Sequence, residues 1–354
     1  MKGIQLIGHG GFDKLVFNKD IPKPIPKEDE VLIKVSAAGV NNTDINTRIG
    51  WYSKSVTTNT NDGGEKGFES TNDKDATWSG NALKFPRIQG ADISGKIVSV
   101  GKNIDQSRID ERVIVRSMQS DPNNLDKISS YVVGSEIDGG FAEYVAVRSS
   151  ETFKINSNWS DVELASIPCA YSTAEGMLHR AELKDEKVLI TGASGGVGSA
   201  VVQLAKRRGA YVVAQCSISK FEEIKKIGAD EIVDRDENLV KKLGLNEFDV
   251  TVDLVAGNNW EQLLDILKPG GRYVTAGAIA GPIVSLDVRT LYLKDLTFYG
   301  CTYQPTEVFK NLIKYIENDE IKPLVAKTFP LEKIVDAQKE FLSKKFIGKI
   351  VLEI

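Results

Sequence analysis

The chain has 354 residues, which is the size of about two domains and is enough to enclose a sizeable core. Hydrophobic residues make up 41% of it and charged residues 27%, both ordinary for a globular protein. With 45 Lys and Arg against 49 Asp and Glu, the net charge of −4 argues against general nucleic-acid or membrane-surface binding.

Targeting signals and cysteines point to the cytoplasm. Residues 1–5 run directly into strand-like sequence without the apolar core of a signal peptide, and no stretch approaches the length of a membrane span. Cys169, Cys216 and Cys301 are scattered and odd in number, which disfavours a disulfide framework. We expect a soluble cytoplasmic protein.

The first 160 residues are predicted to be rich in short strands. Runs of β-branched residues closed by glycine occur at 31–35 and 95–100, another run lies at 112–115, and apolar residues alternate at 141–147. This pattern is typical of a barrel or a sandwich.

Residues 53–82 interrupt that pattern. They are dominated by Asn, Thr, Asp and Gly and show no apolar periodicity, so we predict a long loop. The segment begins after Tyr52 and ends just before 85–90, and Trp51, Phe68 and Trp78 could anchor it. Two interpretations stay open: a lid over a substrate cleft, and a disordered surface insertion.

From about residue 161, strands and helices alternate. Strands are predicted at 188–191, 211–215, 250–255 and 271–275, and helices at 197–208 and 221–227. Regular alternation predicts a doubly wound parallel sheet covered by helices on both faces. Residues 348–352 are strand-like and are expected to return to the first domain. The predicted divisions are therefore 1–160, 161–302 and 303–354.

A glycine-rich turn at 190–198 lies between a predicted strand and a predicted helix. This is the context of a dinucleotide fingerprint, in which glycines admit a pyrophosphate and the helix N-terminus attracts it. Ala193 replaces the first glycine of G-x-G-x-x-G, so a turn without a ligand is the alternative. The predicted cofactor-binding residues here are Ala193, Ser194, Gly195, Gly196, Val197 and Gly198.

The end of the second strand of this domain favours NADPH. NAD enzymes usually place an acid there for the ribose hydroxyls, but residues 215–221 contain no Asp or Glu, and the first acid after the strand is Glu222. Ser217 and Lys220 suit a 2′-phosphate, and Arg235 follows the next strand. The alternative is that these two cations are ordinary surface charges.

Six segments in order resemble the medium-chain dehydrogenase/reductase superfamily, especially its zinc-free branch of quinone and enoyl reductases. They are 38–44 (AGVNNTD), 89–95 (QGADISG), 139–144 (GGFAEY), 167–174 (IPCAYSTA), 268–271 (KPGG) and 348–352 (GKIVL). The resemblance implies a GroES-like partial β-barrel, a Rossmann domain and an active site in the cleft between them.

The same resemblance implies further contacts. Thr173 would lie near the nicotinamide, and backbone at Ala276, Gly277 and Ala278 would meet its carboxamide, with Val255 also beside the cofactor. Residues 296–300 would form an edge strand that joins two Rossmann sheets in a homodimer. An internal strand is the alternative for that segment.

The resemblance also predicts that no catalytic zinc is bound. The three ligand positions of the zinc-dependent relatives hold Asn41, Ala91 and Cys169, and only the last is a zinc ligand. We interpret Cys169 as a small buried residue, and His9 and His179 as structural or surface residues. No cysteine precedes residue 167, so the four-cysteine structural zinc lobe is absent from the sequence.

Without a Lewis acid, hydride delivery to a conjugated carbonyl compound is easier than alcohol–carbonyl interconversion, because hydrogen-bond donors can hold the enolate. Asn41 could donate through its amide. Residues 44–52 resemble the enoyl reductase pattern D-I-N-x-x-x-G-x-Y, which casts Tyr52 as proton donor or as the group that positions the thioester. Aromatic packing is the alternative for Tyr52, and Asp44 is expected to order the backbone.

The predicted function is an NADPH-dependent, zinc-independent reductase of a quinone, enone or enoyl-type substrate. Two alternatives stay open. One is a zinc-free NADP-dependent alcohol or aldehyde dehydrogenase, and the other is a non-catalytic NADPH-binding sensor or crystallin-like protein.

Overall fold

A computed structural model describes residues 1–121 and 130–354. Its first part is a partial barrel built from two sheets and a short hairpin. In this part the strands are β1 Gly3–Leu6, β2 Leu15–Asn18, β3 Glu30–Val40, β4 Arg87–Ile88, β5 Ser94–Val100, β6 Arg112–Val115, β7 Met118–Ser120, β8 Ser130–Val132, β9 Tyr144–Arg148 and β10 Thr152–Lys154.

Strand β3 is the centre of the barrel. It pairs with β5, β9 and the C-terminal strand, and all three pairings are antiparallel. Its β-branched residues alternate, so that Val31, Ile33 and Val35 enter the barrel core while Lys34 stays exposed. The prediction of a strand at 141–147 is too early by three residues, because Phe141 donates its amide to Gln89 instead of joining the ladder.

The second part is a six-stranded parallel sheet in the order β13-β12-β11-β14-β15-β16. Its strands are β11 Lys187–Ile190, β12 Tyr211–Cys216, β13 Glu231–Asp234, β14 Phe248–Asp253, β15 Leu267–Thr275 and β16 Thr297–Gly300. Neighbouring residues of β11 enter different cores, since Val188 and Ile190 face one layer and Leu189 the other. The predicted doubly wound sheet is confirmed.

The helices cover both faces of that sheet and part of the barrel. They are α1 Asn42–Ile49, α2 Asp161–Leu164, α3 Pro168–Arg180, α4 Gly196–Arg207, α5 Phe221–Lys226, α6 Leu239–Leu243, α7 Gln262–Asp265, α8 Val288–Leu293, α9 Thr306–Glu317 and α10 Ile334–Ser343. Since the strand order reverses between β11 and β14, a crevice opens at their carboxyl ends, which is where such sheets bind ligands.

The C-terminal residues return to the barrel later than predicted. Helix α9 buries Phe309, Leu312 and Ile316 in the core of the second part, so the expected division at 302/303 cuts through that packing. The return begins with β17 Val325–Pro330 and ends with β18 Lys349–Glu353, which lies between β17 and β3.

Residues 53–82, which we call the strap, contain turns but no helix or strand. The buried Arg48 guanidinium fixes the strap by donating to the Gly64 carbonyl at 2.6 Å, and it also donates to Gly10 and Gln338. Val56, Thr60 and Ala76 are buried despite the polar composition of the segment. The strap therefore packs on the rest of the molecule.

Strand β16 lies at the edge of the parallel sheet, so the alternative of an internal strand for 296–300 is wrong. Next to this edge, the 283–293 segment exposes apolar side chains, among them Ile283, Tyr292 and Leu293. No helix within the described residues is long and apolar enough to span a bilayer.

Candidate active site

The predicted catalytic residues Asn41 and Tyr52 flank helix α1, and the start of this helix is fixed by a local cap. Asn41 precedes the first turn, and its backbone N–H donates to Asp44 Oδ2 at 2.8 Å. Asp44 Oδ1 accepts the amide of Gly90 at 3.1 Å. These bonds join α1 to the segment after β4, so the helix is held at both its first turn and its neighbouring loop.

Asn41, Asp92 and Lys349 form a buried cluster beside this cap. Asn41 Nδ2 donates to Asp92 Oδ2 at 2.8 Å and weakly to the Gly39 carbonyl at 3.4 Å. Lys349 Nζ donates to Asn41 Oδ1 and, at 2.8 Å, to Asp92 Oδ2. Both hydrogens of the Asn41 amide are therefore engaged, so Asn41 anchors the site instead of offering a free donor as we expected from the sequence.

The charges of Asp92 and Lys349 also act on Asp44 and Cys169, which lie beside this cluster. Burial raises the pKa of Asp44 to about 7, an effect opposed by the two backbone N–H groups that it accepts and reinforced by Asp92 nearby. The amide of Cys169 donates to Asp92 Oδ1 at 2.5 Å. Two buried acids thus lie near one buried cation.

Tyr52 follows α1 and lies over it. Its hydroxyl donates to Thr43 Oγ1 at 3.2 Å, and burial holds its pKa well above the ordinary value, so the phenol stays protonated. Its ring meets Trp51 and Trp78 edge-on, with centroids 5.8 and 5.3 Å away. Aromatic packing and a protonated hydroxyl therefore coexist in one side chain.

The zinc-ligand positions do not suit a metal ion. Asn41 is engaged with Lys349, Ala91 has no donor atom, and burial holds the pKa of the Cys169 thiol far above its usual range. A cationic ammonium group beside these positions opposes a second cation. Within the described residues, no group of three or more His, Cys, Asp or Glu side chains could hold a metal.

The glycine-rich turn has room for a dinucleotide phosphate. Gly192 has φ of 60°, and a Cβ on Gly198 would lie 2.3 Å from the Gly192 carbonyl oxygen, so a close approach of α4 to β11 requires glycine there. A Cβ on Gly195 would meet only that same oxygen, at 3.5 Å. Ala193 is tolerated because its side chain faces the interior.

Two other groups of predicted cofactor residues lie on loops next to the turn, and Thr173 lies on α3. Val255 borders Gly192, and its amide donates to Asp253 Oδ1 at 2.9 Å. The Val255 carbonyl accepts the amide of Ala280 at 2.9 Å, which joins this loop to the loop of Ala276, Gly277 and Ala278. On α3, one turn after Cys169, Thr173 Oγ1 accepts Gln304 Nε2 at 3.4 Å. Thr173 belongs to the helix that begins at the buried cluster.

Two lysines meet at the turn, and only one was predicted. Lys220 Nζ donates to Ser194 Oγ at 3.2 Å and to the backbone carbonyl of Lys344 at 2.8 Å. Burial and the charge of Lys220 lower the pKa of Lys344 to about 8. Lys344 could not be predicted from the sequence, because its position depends on how the C-terminal segment returns across the crevice.

Ser217 and Arg235 are less tightly held than Lys220. Ser217 Oγ lies 3.5 Å from Ser219 Oγ, and the Arg235 side chain is 70% exposed with Asp236 3.7 Å away. The charge of Arg235 nevertheless lowers the pKa of Lys220, after the larger effect of burial. The structure thus gathers Ser194, Lys220 and Lys344 at the turn and leaves Arg235 at its periphery.

The strap crosses from the barrel to the cofactor loop. The amide of Thr60 donates to the carbonyl of Ile279 at 3.2 Å. At its barrel end, Trp51 Nε1 donates to the Thr58 carbonyl at 3.0 Å. The strap therefore connects the aromatic group around Tyr52 with the loop expected to meet the carboxamide.

Two family models match the chain. Residues 67–157 match the alcohol dehydrogenase GroES-like domain, and residues 196–318 match a domain described as zinc-binding dehydrogenase. The first corresponds to the barrel and the second to the parallel sheet with its helices.

Relatives of full length extend this similarity. Human quinone oxidoreductase is 27% identical over 99% of this chain and 97% of its own length. Acryloyl-coenzyme A reductase of Sulfurisphaera tokodaii is 27% identical over 95% of both chains. A solved putative alcohol dehydrogenase of Sinorhizobium meliloti 1021 is 42% identical and superposes with a TM-score of 0.87, covering 100% of this chain and 96% of its own.

Proposed function

Since the chain belongs to the medium-chain dehydrogenase/reductase superfamily of nicotinamide-dependent oxidoreductases, we propose that it is an NADPH-dependent, zinc-independent reductase of a conjugated substrate. The substrate class is a quinone, an enone or an enoyl-type compound. One observation carries the proposal: the ammonium group of Lys349 lies among the former zinc-ligand positions, while the protonated Tyr52 hydroxyl is held nearby on α1. This arrangement offers a proton donor without a metal.

The preference for NADPH rests on the two lysines at the turn. Lys220 brings its ammonium group to Ser194 of the turn and to the backbone carbonyl of Lys344, at the end of β12 where the sequence has no acid for the ribose hydroxyls. The ammonium group of Lys344 lies over the Phe341 ring, 4.1 Å from its centroid. Burial is the main cause of the lowered pKa of both lysines, and the charge of Lys220 lowers the pKa of Lys344 further, so a neutralising anion beside them would be favourable. A 2′-phosphate would supply that charge through charge-assisted hydrogen bonds.

A nicotinamide cofactor held at the glycine-rich turn and at the loop of Ala276, Gly277 and Ala278 would supply a hydride to the electrophilic carbon of the substrate. Residues of the chain then neutralise, by giving a proton, the negative charge that develops on the carbonyl oxygen. Tyr52 holds a proton at its hydroxyl oxygen, and a phenol in a buried site gives it to an enolate. Thr43 Oγ1 accepts this hydrogen in the protein without substrate, so the hydroxyl turns from Thr43 to the substrate when it gives the proton, and the strap limits the entry of water.

The proposal is tested by measuring oxidation of NADPH and NADH against quinones, enones, enoyl thioesters, aldehydes and saturated alcohols. We expect turnover of at least one conjugated class with NADPH and little with saturated alcohols. Turnover confined to alcohols and aldehydes would overturn the conjugated-substrate proposal, and absence of turnover with every class would favour a non-catalytic NADPH-binding protein.

An alcohol or aldehyde dehydrogenase is the second candidate. It is favoured by the 42% identity to the putative alcohol dehydrogenase of Sinorhizobium meliloti 1021. An alkoxide product requires stronger stabilisation than an enolate, and the described site offers no metal-ligand group to provide it. The same panel of substrates separates the two candidates.

We expect purified protein to contain no stoichiometric zinc. Asn41 and Ala91 supply no anionic ligand, and ionising the partly buried Cys169 thiol is costly because desolvation and the charge of Asp92 both raise its pKa. Elemental analysis after dialysis, together with activity before and after treatment with a chelator, checks this. One zinc per chain with activity lost to the chelator would contradict it.

The strap is expected to control substrate selection. Replacing residues 55–80 with a short Gly-Ser linker removes the contact between Thr60 and Ile279 and also the Trp78 edge of Tyr52. We expect NADPH binding to persist while kcat/KM changes unequally across the substrate panel, because the wall of the cleft is lost. Identical relative rates for every substrate would mean that the strap takes no part in the reaction.

A homodimer completes the proposal. Strand β16 has a free edge in this chain, and exposed apolar side chains of α8 and the segment before it flank that edge. Pairing of two β16 strands would cover both features, since exposed strand edges and apolar patches are where chains associate.

A further inference from the structure

We propose that Lys349 is a positioning residue that couples the nucleotide-binding turn to helix α1. The role rests on the proposed function, because α1 carries the groups that hold Tyr52. The family resemblance includes residues 348–352 as a closing strand but assigns no role to the Lys349 side chain.

The first side of this coupling is the contact of Lys349 with the cap of α1. Its Nζ donates to Asn41 Oδ1, and the Asn41 backbone N–H donates to Asp44, the third residue of the helix. Displacement of the ammonium group removes the partner of Asn41 Oδ1 and leaves the Asn41 side chain held by Asp92 and Gly39 alone, which loosens the residue that precedes α1. Thr43, the acceptor of the Tyr52 hydroxyl, lies in that first turn.

The second side is the contact with the turn. A Cβ on Gly196 would lie 2.9 Å from Lys349 Cδ, so the aliphatic stem of the lysine crosses the first residue of α4 without a gap. Any shift of this residue when a dinucleotide binds is transmitted to the stem, because close-packed side chains leave no slack. One side chain from β18 thus touches both the first residue of α4 and Asn41, the residue that precedes α1.

Charge makes the position of the ammonium group specific. The titratable groups around it are Asp92 on the loop after β4, Asp44 on α1 and Cys169 on α3. Asp92 is fully buried and pairs with Lys349 at 2.8 Å, with side chains 0% and 4% exposed. Removing the cation alone leaves a buried carboxylate unpaired, which a methionine of similar length cannot correct.

The test uses Lys349→Met, Asp92→Asn and the double variant, with Lys345→Met as a control that removes an exposed charge from the same segment. Lys349→Met is expected to lower the melting temperature, and Asp92→Asn added to it is expected to restore it. The double variant then isolates positioning from charge balance, since neither buried charge remains.

Hydrogen–deuterium exchange provides the readout that does not depend on turnover. In the parent and in Lys345→Met, saturating NADPH is expected to slow exchange in both α4 and α1. In the double variant we expect protection of α4 to persist and protection of α1 to be lost. Unchanged NADPH-dependent protection of α1 in a stably folded double variant would overturn the proposal, even if the conjugated substrate class were wrong.

Kinetics gives the second readout. We expect kcat of the double variant to fall by roughly two- to thirtyfold, with little change in KM for NADPH. A fall of this size corresponds to the coupling free energies found along such networks. Lys349→Arg is expected to retain more of kcat than Lys349→Met. In Lys349→Met the pKa of Asp44 rises above about 7, so any inflection of the pH profile near that value should move to higher pH. Parent-like kcat in the double variant would overturn the positioning role.

Discussion

Replacing Tyr52 by phenylalanine is expected to lower turnover of conjugated substrates by about 10²–10⁴, the usual value of a general acid. The substitution removes one oxygen and keeps the ring contacts with Trp51 and Trp78, so the fold should be unaffected. Steady-state kcat with the best substrate of the panel measures the loss. The dissociation constant of NADPH should stay at the parent value, because Tyr52 belongs to the barrel side of the cleft.

Tyr211→Phe is a suitable control, since that phenol lies at the start of β12 and is largely exposed. The comparison requires that hydride transfer limits the rate, which a primary isotope effect with deuterated NADPH establishes. If Tyr52→Phe then turns over at the parent rate, the side chain only packs against its aromatic neighbours.

The double variant Lys220→Ala/Lys344→Ala is expected to weaken NADPH binding by about 10²–10⁴, taking about 1.5–3 kcal/mol for each charge-assisted contact. NADH binding should change little, because the lysines would face the 2′-phosphate that NADH lacks. Fluorescence titration of both cofactors measures the difference. Since the pKa of Lys344 is about 8 in the free protein, NADPH affinity of the parent should fall above that pH more steeply than NADH affinity.

Two exposed cations serve as controls for the lysine pair. Arg235→Ala and Lys345→Ala remove charges from the same region without touching the contacts of Lys220 with Ser194 and Lys344. Small effects there, with a large effect of the double variant, would assign the discrimination between NADPH and NADH to Lys220 and Lys344. Equal losses for NADPH and NADH would contradict any reading of the 2′-phosphate by these lysines.

The alternation of strands and helices after residue 161 could be predicted because each element is long enough to show its period. Val188, Leu189 and Ile190 form a continuous apolar run, as a strand buried on both faces must. The end of the cofactor part was misplaced at 302 because α9 is a helix like its predecessors. Nothing in its own sequence says which sheet it covers.

The site could be predicted where function follows from local sequence. The turn from Gly192 to Gly198 and the cap of α1 depend on neighbouring residues only. Lys344 and Lys349 could not be assigned roles, since their partners lie more than 100 positions away, at Lys220 and at Asn41. Asn41 was assigned a free amide for the same reason, because its two partners come from distant segments.

The strap shows a different limit of sequence reasoning. Its composition has little apolar area, which is typical of segments that do not order on their own. The structure orders it through backbone acceptors, with Arg48 bound to the Gly64 carbonyl and Ile279 bound to the Thr60 amide. Such bonds use groups that every residue carries, so they leave no signature in side-chain composition.

The place of β18 has a consequence for the order in which the chain folds during synthesis. This strand lies beside β3, with Ile350 opposite Val40, about 300 positions later. At translation rates of about 5–20 residues per second, β3 waits some 15–60 s for its partner. The last strand of the parallel sheet ends at Gly300 and helix α9, which packs on that sheet, ends at Glu317, so both precede β18 by only about 30–50 residues, or about 2–10 s at the same rates. The nascent barrel therefore keeps one edge of its central strand open while the whole cofactor part is synthesised, and it is during that interval that chaperones would have an edge to cover.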